Sequence, residues 1–166
     1  MIRVDIETII MAAGNVPSVI ILRERNSALH SDSPLRALSI QTGSYEAAAI
    51  SQGIGSERSG RPITPDLFAS ALEALDARVA RVEICRVETP IFYATLVLTD
   101  ATGAEHALDA RPSDALALAV RVNAPIYVED DVMNRAGKIS LQSTQSSEEE
   151  FELFDRFVQT LSPDDF

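Results

Sequence analysis

Apolar residues recur along this chain with two periods, and each change of period marks where an element begins or ends. Alternation of apolar and polar residues signals a strand with one buried face, whereas recurrence at three and four residues signals a helix. Met1–Met11 alternates in part through Ile2, Val4 and Ile6 and predicts a first strand. Gly14-Asn15-Val16-Pro17 is a turn, Ser18–Arg23 (S-V-I-I-L-R) predicts a second strand, and Asn26–Pro34 reads as a polar loop with His30 as a solvated surface residue. A third strand over Leu38–Gln41 passes through Thr42-Gly43-Ser44 into an alanine-rich helix over Tyr45–Gln52, with Glu46 in its first turn. Gly53–Pro62 is rich in Gly, Ser and charge and reads as a mobile surface loop. Thr64 as N-cap, Pro65 at the first helical position and Asp66 in the first turn then predict a helix. Its apolar face is Leu67, Phe68, Ala71, Leu72 and Leu75.

The second half begins with Arg78–Val87, which alternates through Val79, Val82, Ile84 and Val87 with one slip of phase. Ile91–Leu98 is strongly apolar, with Phe92 and Tyr93 on opposite faces, and Asp100–Gly103 turns it into His106–Ala110, so a three-stranded meander follows. Arg111-Pro112-Ser113 opens a helix from about Asp114 to Val122, with Ser113 as N-cap. Asn123-Ala124-Pro125 returns the chain to a strand at Ile126–Glu129, and the acidic run Glu129-Asp130-Asp131 reads as a solvated helix start.

Two passages are alike. L-S-I-Q-T-G-S-Y-E-A-A-A-I (residues 38–50) aligns without gaps with H-A-L-D-A-R-P-S-D-A-L-A-L (residues 106–118), at an offset of 68 that sets Glu46 on Asp114. Both read as strand, tight turn, acid and small-residue helix, so an internal duplication is expected, with Glu46 and Asp114 at paired helix starts. The expected fold class is α+β, a mixed or antiparallel sheet with packed helices and this strand-turn-helix unit repeated. Residues 1–137 form the domain and 138–147 a polar linker. Residues 148–166 form an acidic amphipathic helix and tail presenting Phe151, Phe154, Phe157, Val158 and Leu161.

Composition narrows the class. At 166 residues and 46% hydrophobic content the chain suffices for one domain with a real core. No apolar run approaches the ~18 residues of a membrane span. Acids interrupt the N-terminal apolar stretch, so it reads poorly as a signal peptide. Cys85 is the single cysteine and is expected as a small core residue; no Cys/His metal pattern occurs, and a cytoplasmic protein is expected. The net charge of −11 argues against a non-specific nucleic-acid binder, since Lys and Arg supply phosphate contacts. Its distribution softens that: residues 140–166 carry seven acids and one base. Thirteen of the fourteen bases are Arg, the residue suited to bidentate phosphate contacts. An acidic chain can still cut nucleic acid when divalent ions bridge carboxylates to phosphate.

The candidate chemistry lies at the 109–114 turn. Asp109, Arg111 and Asp114 gather where a helix start offers free N–H groups to an anion or a metal-bound phosphate. The alternative is that Asp109 pairs with Arg111 while Asp114 only caps. Thr64 and Asp66 read first as helix capping.

D-A-R-P-S-D-A-L-A-L-A followed by A-P-I-Y-V resembles the signature of the bifunctional nuclease domain family. R-P-I-T-P-D-L resembles that family's R-P-x-T-H-D-L, and F-Y-A-T-L-V-L its F-Y-A-x-L-x-L, so the resemblance spans roughly Leu38–Met133; the closing S-P-D-D-F resembles the tail of bacterial members. Pro65 stands where the family usually has His, so a mechanism needing that imidazole cannot operate here. The resemblance implies a nuclease-like domain hydrolysing phosphodiesters of DNA and RNA. In that reading Asp109, Asp114 and Glu46 are the catalytic ion or base groups, Asp109 and Asp114 hold a divalent cation (Mg or Mn), and Arg111, Arg61 and Ser113 contact substrate. No organic cofactor and no membrane are expected; a homo-oligomer is, with a protein partner possible through the C-terminal helix. The competing reading is a non-catalytic oligomeric module that binds a partner protein or a small anionic ligand. Geometry separates them: an enzyme needs its carboxylates converging in an open cleft, whereas closed Arg pairs favour the binding module.

Overall fold

A computed structural model describes residues 1–14, 16–25, 35–55 and 60–139. His30, residues 56–59 of the Gly/Ser-rich stretch and the C-terminal linker and helix from residue 140 onward lie outside the described residues. Among the described residues there are eight strands and four helices, an α+β fold. The strands are β1 (Ile2–Ile10), β2 (Ser18–Glu24), β3 (Arg36–Thr42), β4 (Arg78–Glu88), β5 (Ile91–Thr99), β6 (Glu105–Ala110), β7 (Ile126–Val128) and β8 (Lys138–Ile139). The helices are α1 (Ser44–Ile54), α2 (Thr64–Ala74), α3 (Pro112–Val122) and α4 (Asp130–Ala136). The strands form one mixed sheet in the order β6-β5-β4-β7-β1-β2-β3-β8.

That order carries the duplication. On either side of β7 stands a meander, β1-β2-β3 and β4-β5-β6, each running into a helix, α1 and α3. β7 is antiparallel to β1 and parallel to β4, so it welds the two units into one sheet. The helices meet start to start and end to end. Arg111, beside the start of α3, reaches Glu46 in α1, and Gly53 near the end of α1 lies against Val120 and Arg121 of α3. A Cβ on Gly53 would stand 2.5 Å from Val120 Cγ2, so only glycine permits this approach.

One core lies beneath both units. Leu116 and Leu118 of α3, Ile50 of α1 and Met133 of α4 are fully buried with Ile20, Leu22, Leu38, Val82 and Ile84 of the sheet. Burying each such side chain contributes about 1.5–3 kcal/mol. The phase of β4 slips twice, at irregularities between Val79 and Arg81 and between Ile84 and Arg86. One slip was expected; the second explains how Val87 can share the buried side with Ile84. Cys85 sits at this second irregularity, half-buried rather than in the core, with its Sγ 3.6 Å from the Tyr93 carbonyl. Strand β8 was not expected. Lys138 and Ile139, read as the start of the linker, pair with Ala37 and Arg36 at the sheet edge; a two-residue strand leaves too short a pattern to be read.

Candidate functional site

Two places concentrate the chemistry. The first is the start of α3. Proline's fixed φ and missing N–H suit the first helical position, so α3 begins at Pro112, two residues earlier than expected. Arg111 is the N-cap and makes no side-chain cap bond. Ser113 is therefore not the cap: it lies within the first turn and is buried, off the open surface expected of a substrate contact. Asp114 remains in the first turn.

The Arg111 guanidinium joins the two acids that the duplication aligned. Its Nε and Nη2 donate to the two carboxylate oxygens of Asp114 at 2.8 and 3.1 Å. Its Nη1 donates to Glu46 Oε1 at 3.2 Å. The hydrogen bond to Asp114, then the charges of Asp114 and Glu46, push the Arg111 pKa above its ordinary value. Glu46 in turn folds back over Gly43, where a Cβ would collide with its carboxylate. Asp109 does not join this cluster, either as the expected partner of Arg111 or as a third acid. It lies exposed in β6 opposite Thr95. Side chains alternate across a strand, and its neighbours Leu108 and Ala110 lie opposite Leu96 and Ala94 of the core. Asp109 therefore projects from the other sheet face. Among the described residues no three His, Cys, Asp or Glu side chains converge as a ready-made metal group.

The second place is an open cavity of about 800 Å³ between α2, the ends of α1 and α3, and the start of β4. Arg61 lines it, away from Arg111, because it precedes α2 whereas Arg111 lies at the other end of α3. Asp66 does more than cap. One carboxylate oxygen accepts the Ile63 N–H at 3.0 Å, and the other accepts Arg121 Nε at 2.7 Å. The N-cap is Ile63 rather than Thr64, which begins α2. Arg121, with only 2% of its side chain exposed, also donates to the carbonyls of Ala49 and Ala117, so one buried guanidinium ties three helices together. The sequence reading missed Arg121; its signal was a lone Arg in an otherwise small and apolar helix. It also missed Arg78, which lines the same cavity and was read only as the start of a strand.

A census of arginines sets this cavity apart. Arg23, Arg25, Arg36, Arg81, Arg86, Arg111, Arg121 and Arg135 each engage a carboxylate. Arg3 stacks on Tyr127, 5.5 Å from the ring centre. Of the described arginines only Arg61 and Arg78 have neither an ion pair nor a ring contact, and both line the cavity.

Fold and site together define an α+β domain of two meander-helix units with an arginine-lined cavity beside the paired helices. The chain belongs to the bifunctional nuclease domain family, matching it over residues 27–140. It is also similar to two Mycobacterium tuberculosis proteins, Uncharacterized protein MT1877 (strain CDC 1551 / Oshkosh) and Uncharacterized protein Rv1829 (strain ATCC 25618 / H37Rv). Each is 36% identical over 154 residues, covering 89% of this chain and 87% of the relative. No helix among the described residues is long and apolar enough to cross a membrane.

Proposed function

We propose that this chain is a cytoplasmic nuclease-like domain that holds a nucleic-acid strand by its phosphates and hydrolyses phosphodiesters. The observation that carries the reading is the cavity holding Arg61 and Arg78, two guanidinium groups without a carboxylate in a chain of net charge −11. A guanidinium with no internal partner is free to make bidentate bonds to phosphate. Family membership supports nucleic acid as the class of substrate.

Glu46 and Asp114 are the candidate catalytic carboxylates. They flank one guanidinium and offer hard oxygen donors, and Mg²⁺ is commonly held by one or two carboxylates plus substrate phosphate and water. The residues present thus fit a divalent ion, Mg or Mn, at Glu46 and Asp114, with Asp109 outside the pair. Such an ion supplies an activated water and stabilises the leaving oxygen. Arg111 neutralises the two acids in the resting protein and can pass to a phosphate as substrate arrives.

A specific observation also favours the second reading, a non-catalytic module for anionic ligands: both carboxylates already end in one closed Arg111 cluster. Cleavage of labelled single-stranded RNA and DNA with Mg²⁺, Mn²⁺ or chelator separates the two. We expect metal-dependent cutting that falls by about a hundredfold or more in a Glu46→Gln, Asp114→Asn double variant, since altering even the outer-shell partners of a metal costs about 10–100-fold. Equal cutting by both proteins rejects these carboxylates as the site. Binding without cutting by either leaves the non-catalytic module.

A further inference from the structure

Among the described residues the sheet ends on one side in β6, which has β5 as its single neighbour there. Glu105 to Asp109 are all exposed, Leu108 by 42%. The orientation of the open edge follows from the hairpin that precedes it. Asp100 N donates to the Ala104 carbonyl and Gly103 N to the Asp100 carbonyl, with Gly103 at φ +87°, a three-residue loop closed by a glycine bulge. Asp100–Ala104 is therefore a hydrogen-bonded position. Bonding alternates along an antiparallel ladder, so His106, Leu108 and Ala110 turn their N–H and C=O groups toward β5. Glu105, Ala107 and Asp109 turn theirs outward, away from the sheet.

Natural edges carry protection: charged side chains, lysine above all, proline, a bulge or a very short strand. The opposite edge, β8, is two residues long and contains Lys138. β6 is six residues long without lysine or proline, its acids are only Glu105 and Asp109, and no register shift interrupts its pairing with β5. Two of its polar side chains are occupied locally, Glu105 bound to Arg81 at 2.7 Å and His106 Nε2 2.6 Å from Asp100 Oδ2, which leaves Asp109 as its exposed charge.

We infer that β6 pairs antiparallel with β6 of a second copy of this chain, in the register centred on Leu108. A register centred on Ala107 would set Glu105 opposite Asp109 of the other copy twice, and one centred on Asp109 would oppose the two aspartates; like charges directly opposite are destabilising. Centring on Leu108 sets Ala107 opposite Asp109 and His106 opposite Ala110. The outward groups of Ala107 and Asp109 on each strand then exchange four backbone hydrogen bonds. The two Leu108 side chains meet on the face they share with Leu96, which extends the apolar side of one sheet into the next. A strand satisfies this edge where a helix could not, because the unmet groups are backbone donors and acceptors in a row.

The full chain is expected at twice its monomer mass by light scattering. Ala107→Pro tests the edge selectively: the lost N–H points outward, so no bond to β5 is removed, and the variant is expected as a folded monomer by circular dichroism and scattering. Register is read in a Cys85→Ser background. Leu108 faces its copy at a non-hydrogen-bonded position, where Cα atoms stand roughly 4.5 Å apart, within disulfide reach. Leu108→Cys is expected to crosslink on oxidation and Ala107→Cys is not. A parent protein that stays monomeric, a dimer unchanged by Ala107→Pro, or crosslinking at 107 instead of 108 each overturns the proposal.

Discussion

Asp100 shows how much one side chain can organise. Its Oδ1 accepts the Thr102 hydroxyl at 2.6 Å, the Thr102 N–H at 2.8 Å and the Ala104 N–H at 3.1 Å, and its Oδ2 lies 2.6 Å from His106 Nε2. These bonds, the Thr102 hydroxyl first and His106 next, hold its carboxyl well below the usual carboxylate range. A carboxylate with a depressed folded-state pKa contributes stability that is fully present above its unfolded value and lost as pH falls toward the folded one. Asp100→Asn should therefore lower the melting temperature at pH 7, and the gap to the parent should close as pH drops below about 5. Thermal melts of both proteins across pH 7 to 2 measure this; a gap that widens on acidification contradicts the assignment. The same residue sets the hairpin that orients β6, so a local hydrogen-bond cluster reaches as far as the sheet edge.

At the scale of elements, the pairing of α1 and α3 rests on a contact that ordinary helix propensity would forbid. Replacing a helical glycine by alanine usually stabilises by about 1 kcal/mol. At Gly53 the added methyl would meet Val120 Cγ2 at 2.5 Å and Arg121 Nη1 at 2.7 Å, and Arg121 is pinned by Asp66 and two carbonyls. Overpacking costs about 1–3 kcal/mol, so Gly53→Ala is expected to destabilise by about 1–2 kcal/mol in urea unfolding. A stabilised variant would mean that the helices do not press together here. Both helices were legible from their acid-led, small-residue pattern, and the 68-residue offset anticipated that Glu46 and Asp114 would be neighbours. Gly53 was not legible in that sense, because it read as the start of a loop; what holds it in the helix is the neighbour it allows. Asp109 failed for a similar reason. Sequence distance placed it beside Asp114, but strand alternation sends it to the other face of the sheet. Arg121 and Arg78 became visible only when three helices and a strand met around one cavity.

For the whole molecule, the balance of charge makes the binding proposal measurable. With 14 bases against 25 acids the surface repels a polyanion, and ion pairs occupy most of the described arginines. Binding must then draw on few cationic contacts, and each phosphate contact to a single strand contributes about 0.7 to the slope of log affinity against log salt. An Arg61→Ala, Arg78→Ala double variant should bind single-stranded nucleic acid more weakly at every salt concentration, with a slope shallower by about 1.4. Arg86→Ala serves as the comparison, because Arg86 already pairs with Glu88 and lies 3.7 Å from the centre of the Tyr93 ring; its removal should leave the slope unchanged. Fluorescence anisotropy between 25 and 200 mM salt, roughly the range over which counterion release dominates, distinguishes the two. If the double variant keeps the parent slope, the strand does not touch the cavity and the phosphate-binding role of Arg61 and Arg78 is lost. If Arg86→Ala also flattens it, the attraction belongs to the surface at large, and the one place among the described residues where arginine has neither an ion pair nor a ring contact has no special part in it.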